Sequence, residues 1–272
     1  MKKVILFCII LIVAWGAASF TRGIFAAKGS PMEGLIITGH RGGAGLGEEN
    51  SIECIRRGMQ AGAESIEIDV HITSDNEIVV CHDPSLDRTT TGTGAINDLT
   101  LEQILQVSLK DSLGNATAQK IPTLKQVLDT INGETELLLE IKRKNGNNKG
   151  IEERVLEILK ENNALGYTTI QSFDDSVLEK LHSLDPSLKL EKLLFGKIIG
   201  LPVIFDGTFK KFSTEKYSYI RSFNFFHMAL GKNLSEYLHK NGYRTRIWTF
   251  DTPEKTPQIK LDGIITDRPD LF

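Results

Sequence analysis

The chain has 272 residues, which is enough for one large α/β domain with a substantial hydrophobic core. Its 32 basic residues (Lys and Arg) nearly balance its 35 acidic ones, and the formal net charge is −3 at pH 7. The chain is slightly acidic and has no dense run of basic residues, which argues against nucleic acid as a partner.

The N-terminus has the features of an export signal. Lys2 and Lys3 precede an uncharged apolar run over residues 4–20, in which small side chains near Ala18 offer a cleavage site. The run is also nearly as long as the ~20 apolar residues that span a bilayer, so an uncleaved membrane anchor is the alternative. We therefore expect residues 1–28 to be a signal peptide or an anchor. The folded part is then periplasmic, extracellular or attached to the membrane.

Two cysteines, Cys54 and Cys81, lie beyond this segment. An oxidising compartment permits a disulfide between them. Because two cysteines in a large domain need not pair, we interpret them as buried thiols.

The rest of the chain alternates between predicted strands and helices. Apolar runs bounded by turn residues predict strands at residues 35–39, 65–73, 77–81, 136–142, 168–173, 188–195, 217–223, 243–250 and 263–266. Amphipathic patterns predict helices at residues 50–61, from residue 100 onward and at residues 151–159. This rhythm is typical of an α/β fold.

About eight strand–helix units remain once the run at 77–81 is set aside as one arm of a hairpin. Eight is the number that closes a TIM-type (β/α)8 barrel, which we predict for residues 29–272. The polar stretch after the second strand predicts an inserted arm at about 76–120. Residues 198–212 are interpreted as an irregular insertion.

Carboxylates lie on two of the predicted strands. In the strand at 65–73, Glu67 and Asp69 alternate with apolar residues, and Glu140 has the same relation to its neighbours in the strand at 136–142. Parallel strands are normally covered on both faces, so such acids need a cation or tight pairing. Three acids from two strands can form an oxygen cage for a hard divalent metal. The pattern predicts an enzyme, and a structural ion network with Arg88 or Lys142 is the alternative.

Polar residues recur at the end of one predicted strand after another. In a barrel, the carboxyl ends of the strands and the loops that follow them form the active site. The residues that fall there are His40-Arg41-Gly42-Gly43, His82-Asp83, Glu140-Ile141-Lys142, Gln171-Ser172-Phe173, Trp248-Thr249-Phe250-Asp251 and Thr266-Asp267. Such a bias predicts an active-site rim rather than a purely structural protein.

These residues also resemble a known family, the glycerophosphodiester phosphodiesterases. The matching segments run in family order over nearly the whole folded part: His40-Arg41-Gly42, Glu49-Asn50, Glu67-Ile68-Asp69-Val70, His82-Asp83, Leu86-Asp87-Arg88-Thr89-Thr90, Glu140-Ile141-Lys142, Gln171-Ser172-Phe173, Trp248-Thr249 and Asp262-Gly263-Ile264-Ile265-Thr266-Asp267-Arg268-Pro269. The resemblance implies a barrel with an inserted arm, one divalent cation, Ca²⁺ or Mg²⁺, and hydrolysis of glycerophosphodiesters to sn-glycerol 3-phosphate and an alcohol. It implies a place in lipid and glycerol metabolism.

The resemblance also implies roles for individual residues. The metal ligands would be Glu67, Asp69 and Glu140. The acid–base pair would be His40 and His82, and the phosphate would contact Arg41 and Lys142.

Physical chemistry fits these roles independently. A cation with Arg41 and Lys142 would stabilise the charge that develops on the phosphate oxygens, and two histidines can move protons near neutral pH. We further expect Trp248 to pack against the glycerol carbons and Glu49 to lie close to the metal site, although Glu49 and Asn50 could instead cap the first helix.

Some features depart from the family pattern or stay open. Glu48 stands where the family commonly has Pro, and Asp251 where it often has Asn, which puts the substrate range in doubt.

The alternatives for function are a phosphatidylinositol-type phospholipase C and a catalytically inactive exported binding module. The sequence leaves open the head-group alcohol, the native metal, the oligomeric state, which histidine is the acid, and whether water or a substrate hydroxyl attacks.

Overall fold

The computed structural model describes residues 34–142, 149–198, 201 and 203–272. Its strands, in chain order, are β1 (Ile36–Gly39), β2 (Ser65–Ile72), β3 (Ile78–Val80), β4 (Glu136–Ile141), β5 (Thr168–Ser172), β6 (Leu190–Leu194), β7 (Gly196–Lys197), β8 (Val203–Phe205), β9 (Phe209–Lys211), β10 (Ser222–Phe226), β11 (Arg244–Trp248) and β12 (Gly263–Thr266). Eight of them, β1, β2, β4, β5, β6, β10, β11 and β12, pair in parallel, and β1 pairs with both β2 and β12. This closed barrel confirms the predicted fold class.

Six α-helices occur in the described residues: α1 (Ile52–Gln60), α2 (Leu101–Gln106), α3 (Leu124–Ile131), α4 (Ile151–Glu161), α5 (Asp175–Leu184) and α6 (Lys232–Lys240). Buried residues of the other five helices pack on the outside of the barrel in one large core, whereas α2 contributes to a second cluster. Not every barrel strand is followed by a helix. A three-stranded antiparallel sheet of β7, β8 and β9 follows β6, and only short 3₁₀ turns follow β11 and β12.

Neither Glu49 nor Asn50 caps α1, which was the alternative role considered for these two residues. Ser51 is the N-cap, because its side chain accepts a hydrogen bond of 3.0 Å from the backbone N–H of Cys54. Asn50 instead has a left-handed φ of 62°, which turns its side chain away from the helix end and toward β2.

One predicted strand and one segment predicted to be irregular need correction. The strand expected at 217–223 is β10, Ser222–Phe226, because the apolar residues Tyr217 and Ile220 precede it in a segment that packs into the core and therefore look like strand residues in sequence. The insertion expected to be irregular at 198–212 contains β8 and β9. These strands are only three residues long, which is too short to give a clear alternating pattern.

The segment after β2, predicted as an inserted arm, has a small core of its own. β3 pairs antiparallel with β2, as the expected hairpin. The arm then carries α2, whose N-cap Thr100 forms a reciprocal capping box with Gln103. A second cluster of buried residues consists of Val79, Cys81, Leu86, Ile96, Ile104, Leu109 and Ile121.

The predicted signal peptide or anchor at residues 1–28 lies outside the described residues. Among the residues that the structure describes, no helix is both long and apolar enough to cross a membrane. Cys54 and Cys81 are both free and buried, as interpreted from the sequence, and burial raises the pKa of each thiol to about 12.

Candidate active site

Three buried carboxylates converge at the carboxyl end of the barrel strands. The β2–β4 register places Asp69 opposite Glu140, and Glu67 lies two residues before Asp69 on the same face of β2. One oxygen from each of the three side chains lies within 4.8 Å of the others, and each residue is 5% exposed or less. We call these three residues the acidic triad.

Burial affects the three carboxylates differently. Burial and the nearby charge of Asp69 raise the pKa of Glu67 to about 8, and burial also raises the pKa of Glu140. Burial would raise the pKa of Asp69 too, but the positive charges of Lys142, His82 and Arg41 outweigh it and lower this pKa. Burial thus disfavours the charged forms of Glu67 and Glu140, and strongly shifted carboxyl pKa values in a cavity are typical of functional sites.

Two cationic side chains contact the triad. Lys142 Nζ lies 3.0 Å from Asp69 Oδ1 and 2.8 Å from Glu140 Oε1. Arg41 adopts a left-handed φ of 51°, so its backbone N–H donates a hydrogen bond of 2.8 Å to Glu67 Oε2. Arg41 Nε is buried without a hydrogen-bond partner, 3.8 Å from Asp69 Oδ2. This orphaned donor is available to an anionic group at the site.

His40 follows β1 and is oriented by an acid from the last barrel strand. Its Nδ1 lies 2.6 Å from Asp267 Oδ1. Burial would lower the pKa of His40, but the hydrogen bond to Asp267 and the charge of Glu67 outweigh it, so the pKa is raised. His40 therefore favours its protonated form.

His82 follows β3 and is also oriented by an acid. Its Nδ1 lies 2.7 Å from Asp83 Oδ1. Burial lowers the pKa of His82, and the positive charges of Lys142 and Arg41 add to this, while Asp69 and Asp83 act in the opposite direction. His82 therefore favours its neutral form, in contrast to His40.

These groups line one cavity of about 180 Å³. The polar wall is formed by His40, Arg41, Glu67, His82, Glu140, Lys142 and Gln171. The lining also includes Phe173, Phe195 and Trp248, whose rings lie 4.8 to 5.6 Å apart. The Trp248 ring is fixed by a hydrogen bond of 3.0 Å from Nε1 to the Asn224 carbonyl oxygen. The cavity thus offers both charged groups and an aromatic cluster.

Residues 40–271 match the model of the glycerophosphoryl diester phosphodiesterase family. The chain belongs to this family. A glycerophosphodiester phosphodiesterase of Caldanaerobacter subterraneus subsp. tengcongensis is 33% identical over 247 residues, which cover 89% of this chain and 97% of the relative.

Two solved structures have the same fold as this chain. A phosphodiesterase of Oleispira antarctica, solved with the product sn-glycerol-3-phosphate, superposes with a TM-score of 0.74 at 22% identity and covers 86% of this chain and 94% of its own. A glycerophosphodiester phosphodiesterase of Thermotoga maritima gives 0.69 at 26% identity, with coverages of 88% and 96%.

The residues predicted from sequence lie together at this end of the barrel. Seven of them line the cavity: His40, Arg41, Glu67, His82, Glu140, Lys142 and Trp248. Asp69 belongs to the triad, although it is not among the residues that line the cavity. Glu49 does not contact the triad directly; its Oε1 accepts a hydrogen bond of 2.9 Å from Arg41 Nη1.

The sequence analysis named several further residues of this phosphodiesterase site without assigning them the contacts that they make. Asn50 Nδ2 donates a hydrogen bond of 2.9 Å to Asp69 Oδ2, and Gln171 Nε2 donates one of 3.4 Å to Glu67 Oε1. Asp83 and Asp267 orient the two histidines. Their positions near strand ends placed the two aspartates on the predicted rim, whereas no local signal predicts the contact between Asn50 and Asp69.

Proposed function

We propose that this phosphodiesterase hydrolyses glycerophosphodiesters to sn-glycerol 3-phosphate and an alcohol, with a divalent cation at the acidic triad and His40 and His82 as the acid–base pair. The observation that carries the proposal is the convergence of three buried carboxylates and two aspartate-oriented histidines on one cavity. The relative solved with sn-glycerol-3-phosphate supports the product class.

The donor set of the triad fits a hard divalent cation. Ca²⁺ and Mg²⁺ prefer carboxylate oxygens, and Glu67, Asp69 and Glu140 supply such atoms within 4.8 Å of one another. The raised pKa of Glu67 and Glu140 supports the same conclusion, because these carboxylates lack enough positive charge nearby. A bound dication would act as a Lewis acid toward a phosphate oxygen.

Lys142 and Arg41 provide the positive charge for the substrate. A phosphodiester carries one negative charge, and its transition state spreads more charge over the non-bridging oxygens. Both side chains line the cavity, and the unpaired Arg41 Nε is suited to donate to a phosphate oxygen. The two residues thus bind and orient the phosphate.

The two histidines divide the proton transfers. The opposite shifts of their pKa values support His40 as the donor to the leaving alkoxide and His82 as the acceptor of the nucleophile's proton. In each case the aspartate accepts the Nδ1 proton, which leaves Nε2 for the reaction. We further propose that Trp248 contacts the glycerol carbons, since it lines the same cavity as the phosphate-binding side chains.

The deciding experiment measures release of glycerol 3-phosphate from several glycerophosphodiesters, with and without a chelator. We expect the chelator to abolish release and added Ca²⁺ or Mg²⁺ to restore it. His40→Ala and Glu140→Gln should each lower kcat by at least about 10²-fold. Glu152→Gln, which alters an equally buried acid on α4, is the matched control and should keep its activity.

Other outcomes would contradict this function. Cleavage of phosphatidylinositol but not of glycerophosphocholine would identify a phospholipase C. Absence of any phosphate-ester cleavage with calcium, magnesium, manganese or zinc would identify an inactive binding module. Near-normal rates in the His40 or Glu140 variant would refute the residue roles.

We also propose that the enzyme acts outside the cytoplasm, because its N-terminal sequence has the pattern of an export signal or anchor. Cell fractionation with an antibody against the folded part is the test. Recovery of the protein in the cytoplasm, with residues 1–28 still attached, would contradict it.

A further inference from the structure

The small sheet beside the cavity has an apolar surface where a solvent-exposed sheet face is normally polar. The register of β8 and β9 aligns Val203 with Lys211 and Phe205 with Phe209, so these four side chains share one face. We call them the outer face. Phe209 is 65% exposed and Val203 and Phe205 are partly exposed, so three of the four are apolar side chains in contact with solvent.

The opposite face of this sheet is fixed to the barrel. Ile204 is fully buried in the main core. Lys210 Nζ lies 3.2 Å from Asp175 Oδ2 and 2.9 Å from Asp206 Oδ2, and the fully buried Lys192 lies 2.8 Å from the same Asp206 oxygen. These contacts determine which way the sheet faces, so the aromatic side chains of the outer face are directed away from the core.

The outer face is continuous with the catalytic cavity. Phe195 lines the cavity and is also 41% exposed, so it stands at the cavity mouth. Its ring lies 5.5 Å from the Trp248 ring inside the cavity and 5.7 Å from the Phe205 ring outside it. The Phe205 ring in turn lies 4.9 Å from that of Phe209. Four aromatic rings therefore form an unbroken track from the cavity to the surface.

We propose that the outer face binds the hydrocarbon chain of the substrate, so that the enzyme accepts monoacylated glycerophosphodiesters as well as deacylated ones. The inference rests on the proposed function. With the phosphodiester in the cavity, an acyl chain leaves over Phe195 and lies along Phe205 and Phe209. Removing methylene groups from water stabilises the complex, and a deacylated substrate has nothing to place there.

A second copy of the chain is a weaker explanation for the outer face. The three strands are only two or three residues long. A stable interface between two proteins takes about 20–30 residues from each side. The outer face has four side chains and is much smaller than this.

The test uses the full chain and substrates that stay monomeric in solution. We would compare glycerophosphocholine with its hexanoyl, octanoyl and decanoyl monoesters, each below its critical micelle concentration. The expected result is a kcat/KM that rises about twofold per methylene, since a chain on an open surface gains only part of the roughly fourfold effect of complete burial. The gain should appear in KM rather than in kcat.

The variant that isolates the outer face is Phe209→Ser, because Phe209 lies outside the cavity. It should lower kcat/KM for the decanoyl ester about threefold or more while leaving glycerophosphocholine cleavage unchanged. The matched control is Leu113→Ser, which removes an apolar side chain that is 85% exposed on the arm. The control should keep the full dependence on chain length.

The outcomes separate this inference from the proposed function. Suppose that glycerophosphocholine is cleaved but that chain length does not change kcat/KM. The inference is then wrong and the proposed function stands. The same holds if chain length has the same effect on kcat/KM in Phe209→Ser as in the unmodified enzyme. If chain length matters only for substrates in vesicles, the outer face binds a membrane surface instead. If Phe209→Ser changes the oligomeric state, the face is covered by a second copy. If no diester is cleaved, the proposed function itself fails.

Discussion

Arg88 and Glu49 form two parallel hydrogen bonds of 2.8 Å each, Nη1 to Oε2 and Nη2 to Oε1, although they are 39 residues apart. Arg88 also donates to both oxygens of Asp83, at 2.6 and 3.0 Å. Glu49 accepts a hydrogen bond from Arg41, and Asp83 is hydrogen-bonded to His82. The guanidinium of Arg88, on the arm, therefore holds in place the two acids that position Arg41 and His82 in the cavity. Arg88 is thus a positioning residue that does not line the cavity itself.

We predict that Arg88→Gln lowers kcat by about 10–100-fold, because small displacements of positioned groups cost this much in rate. Arg88→Lys should recover only part of the loss, since a lysine cannot form the paired contacts of a guanidinium. The control is Arg57→Gln, because Arg57 is equally exposed and also bonds a neighbouring glutamate. Steady-state kinetics with a melting curve for each variant is the measurement, and equal effects at both arginines would contradict the prediction.

A second prediction concerns the pH dependence. If His40 must be protonated and His82 neutral, the rate follows a bell-shaped pH profile. The hydrogen bond that His40 donates to Asp267 helps to raise the pKa of His40, so Asp267→Asn should lower that pKa and move the basic limb to lower pH. Asp83→Asn should lower the pKa of His82, since the hydrogen bond that His82 donates to Asp83 raises it, and move the acidic limb to lower pH.

The measurement is kcat/KM against pH at a saturating metal concentration. Each variant should move one limb and leave the other in place. If Asp267→Asn moved the acidic limb, the assignment of donor and acceptor would have to be reversed.

A third prediction concerns Asn50 and the metal. Asn50 Nδ2 holds Asp69 Oδ2 at 2.9 Å, and partners of metal ligands typically contribute about 10–100-fold to metal affinity. Asn50→Gly should therefore weaken metal binding about tenfold or more. Glycine is the right replacement because position 50 has a left-handed φ of 62°, where alanine would add strain. Metal titrations followed by activity and by thermal stability measure the effect.

The control for Asn50 is Asn132→Gly. Asn132 also has a left-handed φ, of 45°, and is exposed at the end of α3, away from the triad. The Asn132→Gly variant should bind the metal with the same affinity as the unmodified enzyme. A loss of metal affinity in both variants would mean that the backbone, and not the amide contact, is responsible.

Most of the site could be predicted from sequence because its residues obey local rules. Glu67 and Asp69 are two positions apart on one strand, and parallel pairing brings Glu140 beside them. What could not be predicted depends on distant parts of the chain. Arg88 reaches Glu49 from the arm, and Asn50 reaches Asp69 through an unusual backbone angle, so no pattern of neighbouring residues reveals either contact.

The sheet of β7, β8 and β9 shows the same limit for the fold. Its strands are short, and its attachment to the barrel depends on the ion pair between Lys192 of β6 and Asp206 of the insertion. A lysine in the middle of an apolar strand looks unfavourable in sequence. It becomes favourable only where two carboxylates from other elements lie within reach.

The last prediction concerns this ion network and acid stability. Asp175 Oδ2 lies 2.6 Å from Lys216 Nζ and 3.2 Å from Lys210 Nζ, and Oδ1 lies 3.2 Å from Lys192 Nζ. Burial would raise the pKa of Asp175, but these positive charges lower it to about 2. A carboxyl with a lowered pKa in the folded state stabilises it above its unfolded pKa of about 4, and this contribution disappears as the pH falls toward 2.

Asp175→Asn should therefore lower the free energy of unfolding by about 2 kcal/mol at pH 7, and its deficit should shrink between pH 4 and pH 2. Urea unfolding at several pH values measures this difference. The matched control is Asp129→Asn, which removes an exposed aspartate paired with Lys125 one helical turn away and should cost about 0.5 kcal/mol or less. A deficit at Asp175 that stays constant down to pH 2 would show that lost packing, and not the charge of the carboxylate, causes the destabilisation.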